Sequence, residues 1–457
     1  MIAVLFLLVL LAIMVMAAWY GGGSGGLPIA EIAMLVGVFG VFFAAGIYVG
    51  AALGVLALLA GFVFSDRPFW TFIGQTMWTP SSSFVLVAVP LFLLMGEILL
   101  RAGLSDRLYR ALNIWLRRFP GGLLHTNIVA SGVFSAISGS SVATAATMGS
   151  VALPFFRSTP YDPRMVLGSL AAGGALGNLV PPGITFIIYG LITETSVGAL
   201  YLAAIGPSVL VMALFIAVIL WHGWRNPIAQ AGEGAPWSEV ARSIVDLLPT
   251  AALIVLVLGT IYTGWATPTE SAALGVVGAI GFAALDRKLS WHMLNASAEA
   301  TARTTAMIGL ILLGAYLLNY VLTGLGIPQA LAKTVGGLPM PPWVVMALII
   351  GFYLALGTFM EGFSMIITTI PVIFPVVTAL GYDPVWFGVV VTMLVEIALI
   401  SPPDGTVLYV LQGMRRDGGP ITDVFRGVMP FMSVYILAIA MLMLVPAIAL
   451  WIPKAVQ

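Results

Sequence analysis

One shift of register runs through this chain. Tyr161-Asp162-Pro163 returns as Tyr382-Asp383-Pro384, a shift of 221 (382 less 161), and Pro154 and Pro181-Pro182 return at the same shift as Pro375 and Pro402-Pro403. Ala51-Ala52-Leu53-Gly54-Val55 matches Ala272-Ala273-Leu274-Gly275-Val276, Trp70 matches Trp291, and Gly103-Leu104 matches Gly324-Leu325. Apolar residues coincide by chance, but Tyr-Asp-Pro, Pro-Pro and Trp held at one shift without net insertion point to a duplicated unit. The halves run over roughly 28–225 and 245–452, and 226–244 links them.

What is duplicated is apolar. Hydrophobic residues make up 61% of the 457 and charged residues only 8%, against about 25% charge in an ordinary soluble domain. The apolar runs are continuous and about 20 residues long, the length of a membrane-crossing helix rather than the short alternating strands of a barrel. Eighteen bases balance eighteen acids, which excludes a basic nucleic-acid surface, and the absence of Cys excludes disulfides and thiolate chemistry. His125, His222 and His292 are scattered and form no metal motif. The chain reads as an all-α polytopic membrane protein. Residues 1–20 read as an additional retained helix, since they lack a basic start and a cleavage site. The glycine-rich run 21–26 has linker composition, with an engineered junction as the alternative.

Both halves read in one order: two spans (31–48 and 50–65; 247–264 and 268–285), a Trp-bearing amphipathic stretch, a third span (84–101; 304–323), and a second amphipathic stretch. An apolar stretch interrupted by small polar residues follows (121–157; 341–378), then a span broken by Pro-Pro (163–190; 384–412) and a closing span (200–222; 428–452). Charge decides their relative orientation, because cytoplasmic loops collect Lys and Arg. Arg101, Arg107, Arg110, Arg117 and Arg118 face only Lys333 at the equivalent positions, and Arg157 and Arg164 face Thr378 and Val385. Elsewhere the bias reverses: Arg415, Arg416 and Arg426 face no base in 191–205, and Arg287 and Lys288 face a lone Arg67. Equivalent loops therefore fall on opposite sides, and the repeats are expected to be inverted. Inversion needs an odd number of crossings per half. Five full spans are counted in each, so the interrupted stretches 121–157 and 341–378 are expected to be re-entrant hairpins. The N-terminus then lies in the cytoplasm, with the linker, and the C-terminus outside.

Irregular backbone at membrane depth survives only where protein or a water-filled cavity satisfies it. Four breaks qualify: Ser138-Gly139-Ser140-Ser141, Phe359-Met360-Glu361-Gly362-Phe363-Ser364, Asn178-Leu179-Val180-Pro181-Pro182-Gly183, and Ile400-Ser401-Pro402-Pro403-Asp404-Gly405. Prolines free carbonyls in the preceding turn. Carbonyls, hydroxyls and a carboxylate suit a hard cation such as Na⁺, and half-helix N-termini suit an anionic solute group. Thr144, Thr147, Thr185, Thr368, Thr369 and Thr406 lie within two turns of the breaks. Taken singly, each reads better as a hydroxyl bonded back within its own helix.

An acid inside a span costs about 2.5–3.5 kcal/mol on insertion scales, which makes Glu361 and Asp404 functional candidates. Glu396, two turns before the second Pro-Pro, reads as an outer group of the site or as the buried partner of a base. Glu97 reads as an i,i+4 partner of Arg101. Arg303 opens a span, where it snorkels or attracts an anion. Glu194 and Glu270 fall near span ends, Asp162 and Asp383 are turn and cap residues, and Trp70, Trp78, Trp115, Trp291 and Trp343 read as interface anchors. Stretches 103–119 and 287–300 look like helices lying in the membrane plane.

These residues resemble the large membrane subunit of tripartite ATP-independent periplasmic (TRAP) transporters. The resemblance rests on Val87-Ala88-Val89-Pro90-Leu91-Phe92-Leu93-Leu94-Met95-Gly96-Glu97, Ile137-Ser138-Gly139-Ser140-Ser141-Val142-Ala143, Tyr161-Asp162-Pro163, Pro181-Pro182-Gly183, Thr267-Pro268-Thr269-Glu270, Ala302-Arg303-Thr304-Thr305-Ala306-Met307 and Gly381-Tyr382-Asp383-Pro384. It covers about 28–450. It implies Na⁺-coupled uptake of organic acids, mostly carboxylates, through the bacterial inner membrane. A periplasmic binding protein would deliver the solute, a small four-helix membrane subunit would complete the complex, and the part carrying both hairpins would move as an elevator. It places cation ligands at Ser138, Gly139, Ser140, Ser141, Asn178 and Pro181 in one half, and at Glu361, Gly362, Ser364, Ser401, Pro402 and Asp404 in the other. Thr144, Thr185, Thr406 and Arg303 are the solute-side candidates. Two departures stand out: Glu361 replaces the family's usual Asp, and Asp404 replaces an apolar residue. The extra carboxylate at Asp404 would alter cation number or coupling, or admit protons. Helix 1–20 resembles the connecting helix of fused small-plus-large subunits. The alternative function is a self-sufficient Na⁺-dicarboxylate carrier of the related inverted-repeat type. An enzyme is not expected, because the chain carries no HExxH, Walker loop or clustered His.

Overall fold

The computed structural model describes residues 29–64, 69–156, 159–225, 235–336 and 339–456. The expected helix 1–20, its glycine run and linker residues 226–234 lie outside the described residues. Among the described residues every regular element is a helix. In chain order these are α1 (Ile29–Ala44), α2 (Val49–Phe64), α3 (Ile73–Ser81), α4 (Ala88–Arg101), α5 (Leu104–Leu116), α6 (Leu123–Ser138), α7 (Ser141–Phe156), α8 (Pro163–Gly174), α9 (Ile184–Thr193) and α10 (Val197–Arg225). The second half holds α11 (Trp237–Tyr262), α12 (Pro268–Leu285), α13 (Trp291–Gly324), α14 (Ile327–Gly336), α15 (Pro342–Leu356), α16 (Gly362–Ala379), α17 (Pro384–Ile400), α18 (Thr406–Met414), α19 (Ile421–Leu444) and α20 (Ala447–Val456). Among the described residues seven helical segments are long and apolar enough to cross a membrane: Phe84–Arg101, α10, α11, α12, α13, α16 and α19.

Local chemistry sets the boundaries. Asp162 accepts a hydrogen bond from the Arg164 amide at 3.0 Å with Pro163 at the first helical position, a cap that starts α8. Thr267 and Glu270 form a reciprocal capping box with Pro268 between them, so Thr267-Pro268-Thr269-Glu270 is the start signal of α12. Gly139 ends α6 in the left-handed region at φ 59°. The stretch 121–157 is thus two packed helices, α6 and α7, and 341–378 is likewise parted at 357–361.

Several expectations need correction. Stretch 287–300 is no separate helix; from Trp291 onward it belongs to α13, which runs unbroken through 34 residues, about 51 Å at 1.5 Å per residue. In the first half Pro80 and the turn after it separate α3 from α4, but the matching position is Thr301, so nothing stops the second helix. The closing span 428–452 is divided: α19 starts earlier and stops at Leu444, and α20 follows beyond Pro446. The linker is shorter than expected, because α11 already begins at Trp237. α1, at 16 residues, is shorter than the 31–48 span read there, whereas α2 matches the 50–65 span in length and is displaced by one residue.

The helices form two compact units. One comprises the described part of Met1–Ser83, with Thr304–Leu348 and Phe363–Pro384. Within it α2 crosses α13 in backbone contact: a Cβ at Gly314 would lie 2.5 Å from the Gly50 carbonyl oxygen and 3.0 Å from the Gly54 nitrogen. Small residues permit such close crossings where lipid supplies no hydrophobic drive between helices.

The other unit comprises Phe84–Arg303, Ile349–Gly362 and Val385–Gln457. Here α8 packs on α19, α4 on α12, and α5 on both α11 and α6. Buried Tyr109 of α5 donates to Asn127 of α6 at 2.7 Å, and Asn127 donates to Ser169 of α8 at 2.8 Å. Trp115 donates to Ser243 of α11 at 2.8 Å, and Arg107 pairs with Asp286 at 2.9 Å. Glu97 and Arg101 form the expected i,i+4 pair at 3.1 Å.

Arg415, in the loop before α19, holds Asp417 and, at 3.2 Å, Asp423, while Arg164 from α8 reaches Asp423 at 3.2 Å. Hydrogen bonding from Arg415 holds the Asp417 carboxyl below the usual carboxylate range. A depressed carboxyl adds stability above its unfolded pKa and loses it as pH falls through its folded value. Arg415→Ala is therefore expected to lower the thermal unfolding midpoint by a few degrees at neutral pH. The gap to the wild type should narrow below about pH 4, the unperturbed Asp value. A gap that stays constant with pH would remove this ion pair from the stability argument.

Candidate helix-break site

The tip of the first hairpin is seated on the break between α8 and α9. Gly139 at the tip accepts a hydrogen bond through its carbonyl from the Ile184 amide at 3.2 Å, so the first turn of α9 caps it. A Cβ on Gly139 would lie 2.6 Å from the Pro182 carbonyl oxygen, so glycine is needed there for space as well as for its positive φ. At the break itself, a Cβ on Gly177 would lie 2.2 Å from Ser141 Cα, and one on Gly183 would lie 1.8 Å from the Asn178 carbonyl oxygen. Backbone meets backbone at all three places. Both Pro181-Pro182 and Pro402-Pro403 peptide bonds are cis.

Three side chains tie this contact together. Ser141 Oγ donates to the Glu396 carboxylate, 2.7 Å from each oxygen. The Asn178 amide nitrogen donates to Glu396 Oε1 at 3.0 Å, and Asn178 Nδ2 donates to Ser141 Oγ at 2.9 Å. Ser138 and Thr144 share a hydroxyl hydrogen bond at 2.7 Å across the tip. Glu396 is fully buried in α17. Among the described residues no Lys, Arg or His pairs with it, which excludes the reading as the partner of a base. Sequence reasoning left Glu396 outside the ligand set, and the one available signal was an acid isolated within the apolar helix 384–400.

Four of the fifteen buried side-chain polar atoms without a partner among the described residues fall at or near these breaks. Asn178 Oδ1, Thr147 Oγ1, Thr185 Oγ1 and Thr406 Oγ1 are buried and accept or donate nothing among the described residues. Native interiors leave few such atoms unpaired, and each calls for a ligand, an ion or water. Thr185 and Thr406 stand at repeat-matched positions in the first turns of α9 and α18.

The remaining expected residues are placed as follows. Ser140 stays at the first tip, where its carbonyl accepts from the Thr144 amide at 2.9 Å, and Pro181 is buried in the first break. Half-buried Glu361 directly precedes α16, and Ser364 is buried in its first turn. Gly362 lies against α17: a Cβ there would come within 2.5 Å of Val395, and one on Gly357 within 2.7 Å of the Ala398 Cβ. Ser401 is buried, Pro402 half-buried and Asp404 exposed between α17 and α18, where Tyr409 donates to the Pro403 carbonyl at 2.7 Å. Arg303 is not gathered into this network. It is exposed on α13 and pairs with Glu299 one turn back at 3.1 Å.

Oxygen donors alone, hydroxyl, amide and carboxylate, line the first tip, and among the described residues no group of three or more His, Cys, Asp or Glu gathers as a metal site. Such donors suit a hard cation or a hydrogen-bonding solute, not a transition metal.

Comparison with known proteins agrees with this architecture. Residues 36–448 match the family described as the tripartite ATP-independent periplasmic transporter, DctM component. The chain is 30% identical over 439 residues to the C4-dicarboxylate TRAP transporter large permease protein DctM of Rhodobacter capsulatus, covering 91% of this chain and 98% of that one. It is 29% identical to the sialic acid TRAP transporter large permease SiaM of Vibrio cholerae, covering 93% and 98% of the two chains. In fold it is similar to the YdaH transporter of Alcanivorax borkumensis, with a TM-score of 0.61 at 17% identity over 92% of this chain and 99% of that one. This multi-pass, all-helical membrane protein is therefore a transport subunit that belongs to the DctM-component family of TRAP transporters.

Proposed function

We propose that the chain is the permease subunit of a Na⁺-coupled secondary active transporter that imports a carboxylate-bearing organic solute. The observation that carries the reading is the set of buried, unpartnered oxygens at the helix breaks, Asn178 Oδ1, Thr185 Oγ1 and Thr406 Oγ1, beside the all-oxygen tip of the first hairpin. Ser138, Gly139, Ser140, Ser141, Asn178 and Pro181 supply one cation site. Glu361, Gly362, Ser401, Pro402 and Asp404 supply the other, and Na⁺ is cargo at both. Thr144, Thr185 and Thr406 offer hydroxyls to the solute. The named solutes of relatives support an anionic organic acid: a C4-dicarboxylate, sialic acid and, for a permease of Oleidesulfovibrio alaskensis, isethionate.

The words tripartite and periplasmic in the family name support a multi-subunit assembly, which we infer as follows. A periplasmic binding protein delivers the solute and a small four-helix subunit completes the complex in the inner membrane, with the N-terminus of this chain cytoplasmic and its C-terminus periplasmic. The two halves act as inverted repeats, and the part carrying both hairpins moves as an elevator.

Uptake into proteoliposomes tests this. With the small subunit and the solute-loaded binding protein present, an inward Na⁺ gradient is expected to drive accumulation, and K⁺ or choline in its place to leave only background. Equal uptake without Na⁺ would reject cation coupling. Accumulation by this chain alone would select the self-sufficient carrier instead.

A further inference from the structure

We propose that Glu396 is the anionic group of the first-hairpin cation site, supplied by the second half of the chain to a site whose own residues are all neutral. The inference rests on the cation-coupled reading above and adds to it a residue that reading does not contain. Ser138, Gly139, Ser140, Ser141, Asn178 and Pro181 carry no charge. A cation held by them alone would bring an uncompensated charge into a buried place, at a cost of several kcal/mol. Glu396 presents the mirror problem, a fully buried carboxyl group with no base beside it among the described residues.

The geometry joins the two. The Glu396 carboxylate touches Ser141 Oγ at 2.7 Å and the Asn178 amide at 3.0 Å, which are the tip and the break of the proposed site. A carboxylate offers about four lone-pair positions. Ser141 has one proton to give, and Asn178 gives its backbone and side-chain N–H, three donors in all, so one acceptor position remains on Glu396. A second, independent observation points to a ligand at the same spot. Asn178 is 2% exposed, and its Oδ1 is buried without a donor. An open carboxylate position and an orphaned amide oxygen, on two directly hydrogen-bonded residues, are the oxygen pair a cation would satisfy. The acids of the second half do not serve here: Asp404 is exposed and Glu361 stands at the other hairpin.

The test reads cation binding without needing the solute. The protein is purified with its small subunit into lipid nanodiscs, and its thermal midpoint is followed against NaCl, with choline chloride holding ionic strength constant. A ligand that binds the folded state raises the midpoint in proportion to its occupancy. Wild type is expected to show saturable stabilisation by Na⁺. Glu396→Gln should raise the half-saturating Na⁺ roughly ten- to a thousandfold, the range over which one opposite charge shifts a neighbouring equilibrium. Its midpoint in choline should not fall, since a neutral amide is easier to bury. Equal half-saturation in wild type and Glu396→Gln, or a midpoint lowered alike in both salts, would overturn the role of Glu396 and leave cation coupling standing. No Na⁺ response in the wild type would overturn cation coupling itself. If Glu396→Gln does not fold, Glu396→Gln combined with Asn178→Asp moves the charge across the same network. Restored Na⁺ stabilisation supports the proposal, and a folded double variant blind to Na⁺ overturns it.

Discussion

A Gly177→Ala variant is expected to lose uptake to background while still accumulating in the membrane. The new methyl group would lie 2.2 Å from Ser141 Cα, 2.3 Å from the Ser141 nitrogen and 2.6 Å from the Ser140 carbonyl carbon. All three are backbone atoms, so no rotamer change relieves the clash. The first hairpin must withdraw by an ångström or more, and that separates the donors Ser141 and Asn178 from the carboxylate they share. Positioned polar sites are sensitive at this scale, and about 1 Å of misplacement commonly costs on the order of a hundredfold in function. The Na⁺ stabilisation should vanish with uptake. Gly281→Ala serves as the control, because a Cβ there meets nothing within 4 Å. In α12 that change should be neutral or add up to about 1 kcal/mol of helix propensity. Wild-type uptake in Gly177→Ala would mean that the tip does not rest on the break in the working protein.

Much of this site was legible from local sequence, and the rest was not, for identifiable reasons. The bounds of the first hairpin followed from polar residues interrupting an apolar run, and α6 and α7 end within two residues of 121 and 157. The Glu97–Arg101 pair followed from helical spacing. The same rule finds Arg303, whose partner Glu299 lies four residues back, and it would have argued against a solute role. The absence of a break in α13 was also readable: the repeat aligns Thr301 with Pro80, and a missing proline is a local fact. Glu396 was of a different kind. Its partners Ser141 and Asn178 are 255 and 218 residues away. No periodicity reports which of several buried acids meets a distant hairpin. The clearances at Gly139, Gly177 and Gly183 are tertiary in the same sense, since sequence shows a glycine but not what faces it.

The contact between α8 and α19 carries the second large effect. A Cβ on Gly168 would lie 2.0 Å from the Gly427 carbonyl oxygen, and a Cβ on Gly427 would lie 2.0 Å from the Arg164 carbonyl oxygen and 3.2 Å from the Gly168 nitrogen. The two helices touch along their backbones over about one turn, and each glycine makes room for the other helix. Alanine at either position must push the helices apart and loosen the packing around them. Overpacking typically costs about 1–3 kcal/mol, and a backbone-against-backbone clash belongs at the upper end. Gly168→Ala and Gly427→Ala are each expected to lower stability by about that amount in SDS-induced unfolding from mixed micelles. The double variant distinguishes this account from a general loss of helix quality. Once one methyl group has separated the helices, the second finds the space already open, so the combined loss should fall well short of the sum, as expected of residues sharing one contact. Strict additivity would show that the two positions act independently and that the close crossing is not the source of the loss. Because α8 also leads directly into the break at Asn178, the single variants should weaken Na⁺ stabilisation as well as lower the midpoint. The separation displaces the break from the hairpin tip that it supports.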